Sequence, residues 1–422
     1  MDGNSAYRFA YDPPIVRHGP GCVENVGGEL AGFGFDDALV VCGRTVGDRS
    51  VVMDPIREGL GDRLAGVFDE TTPAKRLETA IGCASRAEEL GADVLVGLGG
   101  ASSLDVARVA SALVGSDRTP EELGAQLAAT ATLSVPETTT PVVAVPTTLA
   151  GGGLSMLAGV SADPASGLVE EPVGGGVGAT QLMPELIVYD PELVATTPWG
   201  VLAGSAMNGF NKGVETLYAS NRTPITDATA LEGLSLLSEA LGSLGPKPTP
   251  GDLDTALRGV TLAQYGATRE SGTTFSVLHA LGHSLRIHAD VQLGVGHAAV
   301  APESLAWLLE NADGRRDLLA EALGIEGSEN VDDEIVAAVR SLRDGLDLPE
   351  RLRDVEGIDR SVFEDVATMA ADAFVLANDA PNSAGSTAEP LKTAHPWSGS
   401  PHPPSDLDVS TEGMKAILEA AW

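Results

Sequence analysis

The sequence predicts an α/β half followed by an all-helical half. Three observations carry that reading. Through residue 148, short apolar runs rich in β-branched residues alternate with amphipathic stretches. Two of those runs end in glycine- or threonine-rich turns, GLGGASS (97–103) and VPTTLAGGG (145–153). Beyond a last apolar run, LIVYD (186–190), apolar residues recur only at helical spacing.

The elements follow in order. DALVVCG (37–43) reads as a buried strand, PIREGLGDRLAG (55–66) as a helix and GVFDETTP (66–73) as a strand and turn. AKRLETAIGCASRAEELG (74–91) is a helix stopped by Gly91. ADVLVGLGG (92–100) is a strand, SLDVARVASALVG (103–115) a helix and TTPVVAVPTT (139–148) a strand. Such alternation predicts a mainly parallel sheet with helices on both faces. GLVEEPVGGGVGATQ (167–181) reads as a mobile hairpin or loop. Helical patterns then cover 201–219, 226–242, 252–271, 275–288, 299–311, 332–345 and 361–377. The boundary falls near 192, dividing 1–191 from 192–422. The Pro-, Ser- and Gly-rich stretch 378–408 reads as an irregular tail, and STEGMKAILEAAW as a capped, docked helix.

Acidic residues number 60 against 26 basic ones, a formal charge of −34. That charge excludes nucleic acid as a partner and disfavours an anionic membrane. With no long apolar run and no signal-like start, the expectation is a cytoplasmic protein. The three cysteines, Cys22, Cys42 and Cys83, lack metal or redox spacing and suit a reducing compartment. Only five lysines occur, at 75, 212, 247, 392 and 415. An acidic, lysine-poor surface fits a halophilic protein working in concentrated salt, where self-repulsion is screened.

Four segments could carry chemistry. Gly99, Gly100, Ser102 and Ser103 join a strand to a helix, so backbone N–H groups and the helix dipole could hold a phosphate, with Asp105 in the first turn. A plain strand-to-helix turn would read the same way. Thr147 and Thr148 end the next strand and would form a second wall of the same cleft. In AMNGFNKGVETLY (206–218), Asn208 and Lys212 share a helical face, with Glu215 one turn on. In HALGHSLRIHADVQLGVGHAAVAP (279–302), four of the seven histidines fall together: His279, His283, His288 and His297, the last after a glycine-rich turn. The pair His279 and His283 suits either a metal or a buried core.

In this order the segments resemble the iron-containing alcohol dehydrogenase family, with its dehydroquinate synthase-like fold. GGASSLDVAR stands for the family's GGGS-x-x-D-x-A-K, YDPELVATTP for its Asp-Pro strand, and AILEAAW for its last helix. PTTLAG, VETLYA and Asn208 place the chain nearest the maleylacetate reductases. The resemblance implies hydride transfer between NAD(P)H and a small carbonyl or alcohol in a cleft between the two halves. It gives cofactor roles to Gly99, Gly100, Ser102, Ser103, Asp105, Thr147 and Thr148. At Gly43 and Arg44 no acidic residue is adjacent and an arginine could hold a 2′-phosphate, so NADP(H) is favoured slightly over NAD(H). The family's lysine between the PTT motif and the Asp-Pro strand is missing, with Glu170 and Glu171 in that region.

The family's metal ligands are an Asp and a His four apart, then two His fourteen apart. Here the matching positions are Asn208, Lys212, His279 and either Leu293 or, with a gap, His297. An amide, an ammonium and an alkyl chain do not hold a divalent ion, so no metal is expected. Lys212 could then polarise the substrate oxygen, and His283, His288 or His297 could move the proton. The alternative is that Lys212 merely neutralises Glu215. At the level of the whole chain, the alternative to an enzyme is a non-catalytic member that only binds the cofactor. A strict reductase resemblance implies an oxo-acid substrate, with Lys212 and Arg286 as cationic partners. A homodimer or larger oligomer is expected.

Overall fold

A computed structural model describes residues 7–289, 291–327, 329–379 and 402–422, with the side chains of 375–379 excepted. Strands β1 (Ile15–His18), β2 (Ala38–Val41), β3 (Leu64–Phe68), β4 (Val94–Gly99) and β5 (Val142–Pro146) are followed by β6 (Leu157–Ala162), β7 (Val173–Gly178) and β8 (Leu186–Tyr189). Six of them form one parallel sheet in the order β1-β8-β5-β4-β2-β3. The inner strands β2, β4, β5 and β8 are buried along their whole length, whereas edge strand β1 is mostly exposed. This is why the inner strands are unbroken apolar runs in the sequence. Side chains alternate across the sheet. Leu39 and Val41 join the core on one face, and Ala38 and Val40 join the core on the other.

The sheet explains the placement of the turns. From β2 the chain reaches edge strand β3, returns to β4 on the other side of β2, and continues outward through β5. The strand order therefore reverses between β2 and β4, and the crevice beyond their carboxyl ends is where open α/β sheets hold ligands. Gly43 and Gly99 flank that crevice.

After β8 the chain is helical, and these helices pack into a third core. Among the described residues, the one strand pairing there is a two-residue antiparallel ladder, Thr268–Arg269 with Gly272–Thr273. It ends the expected helix 252–271 early, at Gln264. The segment expected as a hairpin or loop at 167–181 supplies β7, which pairs antiparallel with β6 over six residues. The helix containing His297 begins at Leu293, so His297 lies inside it and does not follow a free glycine-rich turn. The closing helix Thr411–Ala420 is capped by Ser410, whose hydroxyl accepts the Gly413 N–H at 3.2 Å. Most of the tail expected at 378–408 lies outside the described residues. The strand Ile15–His18 and the helices Val26–Phe33, Pro120–Thr130 and Arg316–Ala322 had no counterpart in the sequence reading. No helix among the described residues is long and apolar enough to cross a membrane.

Candidate active site

A cleft of about 180 Å³ opens between the sheet's carboxyl edge and the helical half. Ala101, Asp105 and Lys75 line it from one side, and Asn208, Lys212 and His279 from the other.

The sheet side is the turn after β4. Gly99 has φ 132, a region closed to most side chains, and a Cβ there would sit 3.0 Å from Ser103 Oγ. Its carbonyl accepts the Thr147 N–H at 3.0 Å, which joins the two predicted cofactor motifs. Gly100 is the N-cap of the helix Ala101–Leu113 and supplies no side-chain cap. The first N–H groups of that helix are thus left for an anion, with Ser102 half-buried beside them. A Cβ on Gly100 would rest against Thr148 Cγ2 at 3.4 Å, so a larger side chain there would reach into this cradle. Ser103 serves structure: its hydroxyl pairs with Thr71 Oγ1 at 2.9 Å. At the end of β2, Gly43 caps a short helix begun by the exposed Arg44. The expectation that no carboxylate stands there needs correcting. Strand β3 ends at Phe68 and is followed by Asp69 and Glu70; Glu70 bridges to Gly43, and Asp69 lies against Gly47. Asp69 and Glu70 lie 26 and 27 residues beyond Gly43, out of reach of a local sequence pattern.

The helical side is built on the helix Trp199–Tyr218, which is buried without interruption from Leu202 to Tyr218. Gly209 lets it lie directly on the loop after β5, since a Cβ there would come within 2.2 Å of the Leu149 carbonyl oxygen. That approach brings Lys212 Nζ to 2.8 Å from the Ala150 carbonyl, to which it donates. Nζ also stands 5.1 Å from the centre of the Phe275 ring. Lys212 is only 8% exposed. No carboxylate among the described residues lies within 4.0 Å of its ammonium, so it does not neutralise Glu215 by an ion pair. Burial, countered in part by Asp105, lowers its pKa from 10.5 to about 8.

Glu215 instead serves His279. Its carboxyl accepts the His279 backbone N–H at 3.1 Å, in the first turn of the helix Val277–Ala289, and bonds the same residue's Nδ1. On the other side of the ring, Nε2 meets Asn208 Oδ1 at 3.2 Å. The ring stacks on Phe275 at 4.5 Å. His279 is therefore fixed at both nitrogens and one face. Burial pushes the Glu215 carboxyl up to about 8 and the His279 imidazole well below its usual range. A buried pair that avoids charge is the result.

The structure separates the remaining histidines. His283 lines the cleft, whereas His288 and His297 do not. His297 is fully buried behind His279, with ring centres 4.6 Å apart and neither nitrogen hydrogen-bonded. It fits there because Gly282 has no side chain; a Cβ would lie 1.8 Å from its ring. Leu293, one helical turn earlier, faces the cleft. His297, expected at the catalytic face, thus lies behind His279 and outside the cleft lining, and of the two candidates for the fourth ligand position the one at the cleft is an alkyl side chain. A divalent ion does not fit this donor set. Among the described residues no three His, Cys, Asp or Glu side chains converge as ligands, and Lys212 brings positive charge to the spot.

Sequence reasoning missed Lys75, which pairs with Asp105 inside the cleft. Its only signal was membership of a very short list of lysines.

Residues 13–191 match the iron-containing alcohol dehydrogenase family, and residues 202–392 match the C-terminal region of the Fe-containing alcohol dehydrogenase family. Maleylacetate reductase from Burkholderia cepacia is 27% identical over 334 residues, spanning 77% of this chain and 82% of its own. Maleylacetate reductase from Agrobacterium tumefaciens superimposes with a TM-score of 0.70 at 22% identity, covering 99% of both chains. The archaeal halo-thermophilic Red Sea brine pool alcohol dehydrogenase gives 0.78 at 18% identity, covering 99% of this chain and 100% of its own. With both halves matched in order and the glycine turn and cleft in place, the chain belongs to the iron-containing alcohol dehydrogenase family of NAD(P)-dependent oxidoreductases.

Proposed function

We propose that this enzyme is a metal-independent reductase of a small oxo acid, with Lys212 in the electrophilic role. Residues up to about 191 bind the nicotinamide and residues from about 192 supply the catalytic face. The observation that carries the reading is the buried Lys212 ammonium. It lies in the cleft beside Asn208 and His279, and among the described residues no carboxylate forms an ion pair with it. A buried positive charge without a direct ion pair is costly even with Asp105 acting on it from a distance, and a developing alkoxide would balance it. The curated relatives are named maleylacetate reductases, which supports an oxo acid of that kind as substrate.

The bound nicotinamide supplies or accepts a hydride. The chain's residues do the rest. The N–H groups after Gly100 hold the pyrophosphate. Lys212 Nζ–H hydrogen-bonds the substrate carbonyl oxygen; as the carbon gains hydride, the Nζ–H bond breaks and the O–H bond forms. A lysine with its pKa lowered to about 8 is a better acid than a surface lysine. A proton from solvent, relayed through the neutral His283 imidazole that also lines the cleft, restores the ammonium. Asn208 and His279, locked together, shape the floor. Arg44 beside Gly43 supports use of NADP(H) even with Asp69 and Glu70 close by.

The test is a nicotinamide absorbance assay in concentrated KCl over oxo acids, aldehydes and alcohols, combined with elemental analysis. Turnover is expected without stoichiometric zinc, iron or manganese and without inhibition by chelators. One metal per chain with activity lost on chelation refutes the reading. Tight nicotinamide binding without turnover of any carbonyl would make the chain a binding protein.

A further inference from the structure

We propose that Lys75 is a specificity-determining residue of the cleft, where its ammonium binds the carboxylate of an anionic substrate. The inference rests on the oxo-acid reading above and assigns one residue to it.

Lys75 has φ 53, a left-handed backbone conformation unfavourable for a lysine. Strain of this kind persists only where surrounding structure over-determines it, and here the surroundings do. The β6 strand grips the loop on either side of the lysine. Ser161 N–H donates to the Lys75 carbonyl at 3.0 Å, and Ser161 Oγ donates to the Ala74 carbonyl at 2.6 Å. Arg76 pairs with Asp163 at 2.6 Å. From the opposite side of the cleft, Arg286 donates to the Pro73 carbonyl at 3.3 Å. The effect of these ties is to aim one side chain, only 8% exposed, into the cleft.

Its partner explains how the ammonium is held. One Asp105 oxygen pairs with Lys75 Nζ and accepts the Gly159 N–H at 3.2 Å. The other oxygen stands 3.7 Å from the buried Arg108 guanidinium. Asp105 is thus balanced by two cations, and its carboxylate acts as the lysine's anchor. An ammonium has three N–H groups, so two remain to serve a ligand. With Lys212 across the cleft the local charge stays positive on a chain of net −34. Lys212 engages the reacting carbonyl, and Lys75 the carboxylate that distinguishes an oxo acid from a neutral aldehyde.

Two measurements on the full chain test this. One compares steady-state reduction of an oxo acid and of an uncharged aldehyde. The other follows calorimetric binding of succinate, a carboxylate that cannot be reduced, to the nicotinamide complex. Lys75→Gln is expected to raise the oxo-acid KM and the succinate Kd by about 10- to 100-fold, the loss of one charge-assisted hydrogen bond. Aldehyde kinetics and nicotinamide affinity should move far less. Lys75→Arg, which keeps the charge, should retain carboxylate binding. If Lys75→Gln does not fold, Lys75→Asn, a side chain tolerant of left-handed backbone, is held to the same expectation. Unchanged succinate binding in the Gln or Asn variant overturns the assignment, as does an equal loss of nicotinamide affinity, which would make Lys75 a cofactor contact. A wild-type enzyme that neither binds succinate nor reduces any oxo acid, yet reduces aldehydes, instead removes the oxo-acid reading and this assignment with it.

Discussion

Replacing Lys212 by Met should abolish most of the activity while making the protein more stable at neutral pH. The side chains are similar in length, so the change removes a charge from a buried position without opening a large cavity. Burial lowers the lysine's pKa from 10.5 to about 8. At about 1.4 kcal/mol for each tenfold change in proton affinity, holding the charged form inside the fold costs about 3 kcal/mol. The hydrogen bond to the Ala150 carbonyl, at 2.8 Å, would be lost and that carbonyl left without this donor. The net gain at pH 7 is therefore smaller, on the order of 1–2 kcal/mol. Its pH dependence is the sharper test. Between about 8 and 10.5 the unfolded chain binds the lysine proton and the folded chain does not, so wild-type stability rises with pH across that window. The Met variant lacks this rise, and its advantage should disappear as the window is crossed. Denaturant unfolding of both proteins from pH 7 to 10.5 measures it. Turnover should fall by roughly 10²–10³-fold, as when one oxyanion-stabilising donor is removed. A Met variant that is less stable at pH 7 and turns over normally would make Lys212 a structural residue and refute the reasoning.

Lys212→Arg should rescue turnover poorly, because a planar guanidinium cannot place a point charge in the same position; in both directions of the assay it should resemble the Met variant. Wild-type reductase activity should decline above about pH 8 as Lys212 loses its proton, a limb that a pH–rate profile would show missing if the acid lies elsewhere. Gly100→Val should eliminate nicotinamide binding, since a β-branched side chain would fill the cradle beside Thr148; fluorescence titration with unchanged affinity would exclude the glycine turn as the cofactor site. Arg44→Ala should weaken NADPH about tenfold more than NADH by removing a cation from the 2′-phosphate, and equal losses would place Arg44 outside the contact. Gly282→Ala should destabilise the fold by about 1–3 kcal/mol, because the added carbon would overlap the His297 ring; an unchanged denaturation midpoint would contradict that packing.

The sheet was legible because its inner strands are buried on both faces. Such strands must be continuous apolar runs, and ADVLVGLGG or VVAVP admit few other readings. Strand β1 was not legible for the opposite reason. As an exposed edge, IVRH carries an arginine and a histidine and shows no apolar run. The cofactor turn and the face shared by Asn208 and Lys212 were readable because each is local. One is a strand-to-helix junction, and the other an i, i+4 pair. What failed was non-local. Glu70 reaches Gly43 through an isolated β-bridge that brings Asp69 against Gly47, and Lys75 reaches Asp105 through a loop tied to a later hairpin. The turn expected before His297 is absent because glycines at 294 and 296, which resemble a turn, here sit inside a helix. Gly294 allows that helix to cross Gly204 of its neighbour, where a Cβ would lie 2.2 Å from a carbonyl oxygen.

The charge pattern ties the site to the whole chain. Surface composition answers to solvent. In concentrated salt an exposed ion pair gains little, and a lysine there has no strong reason to persist. A buried lysine answers to different physics, because screening by salt does not reach it and its desolvation must be offset by a partner or a ligand. Of the four described lysines, Lys247 is exposed and Lys415 pairs with Glu364 near the surface. Lys75 and Lys212 are both 8% exposed, and both line the one cleft that the glycine turn borders. Lys75 is anchored by Asp105, whereas Lys212, among the described residues, touches a carbonyl and a ring face and no carboxylate. On the proposed function the two lysines divide the work that an anionic, reducible substrate demands. One holds its standing negative charge, and the other waits for the charge that forms only as the carbonyl is reduced.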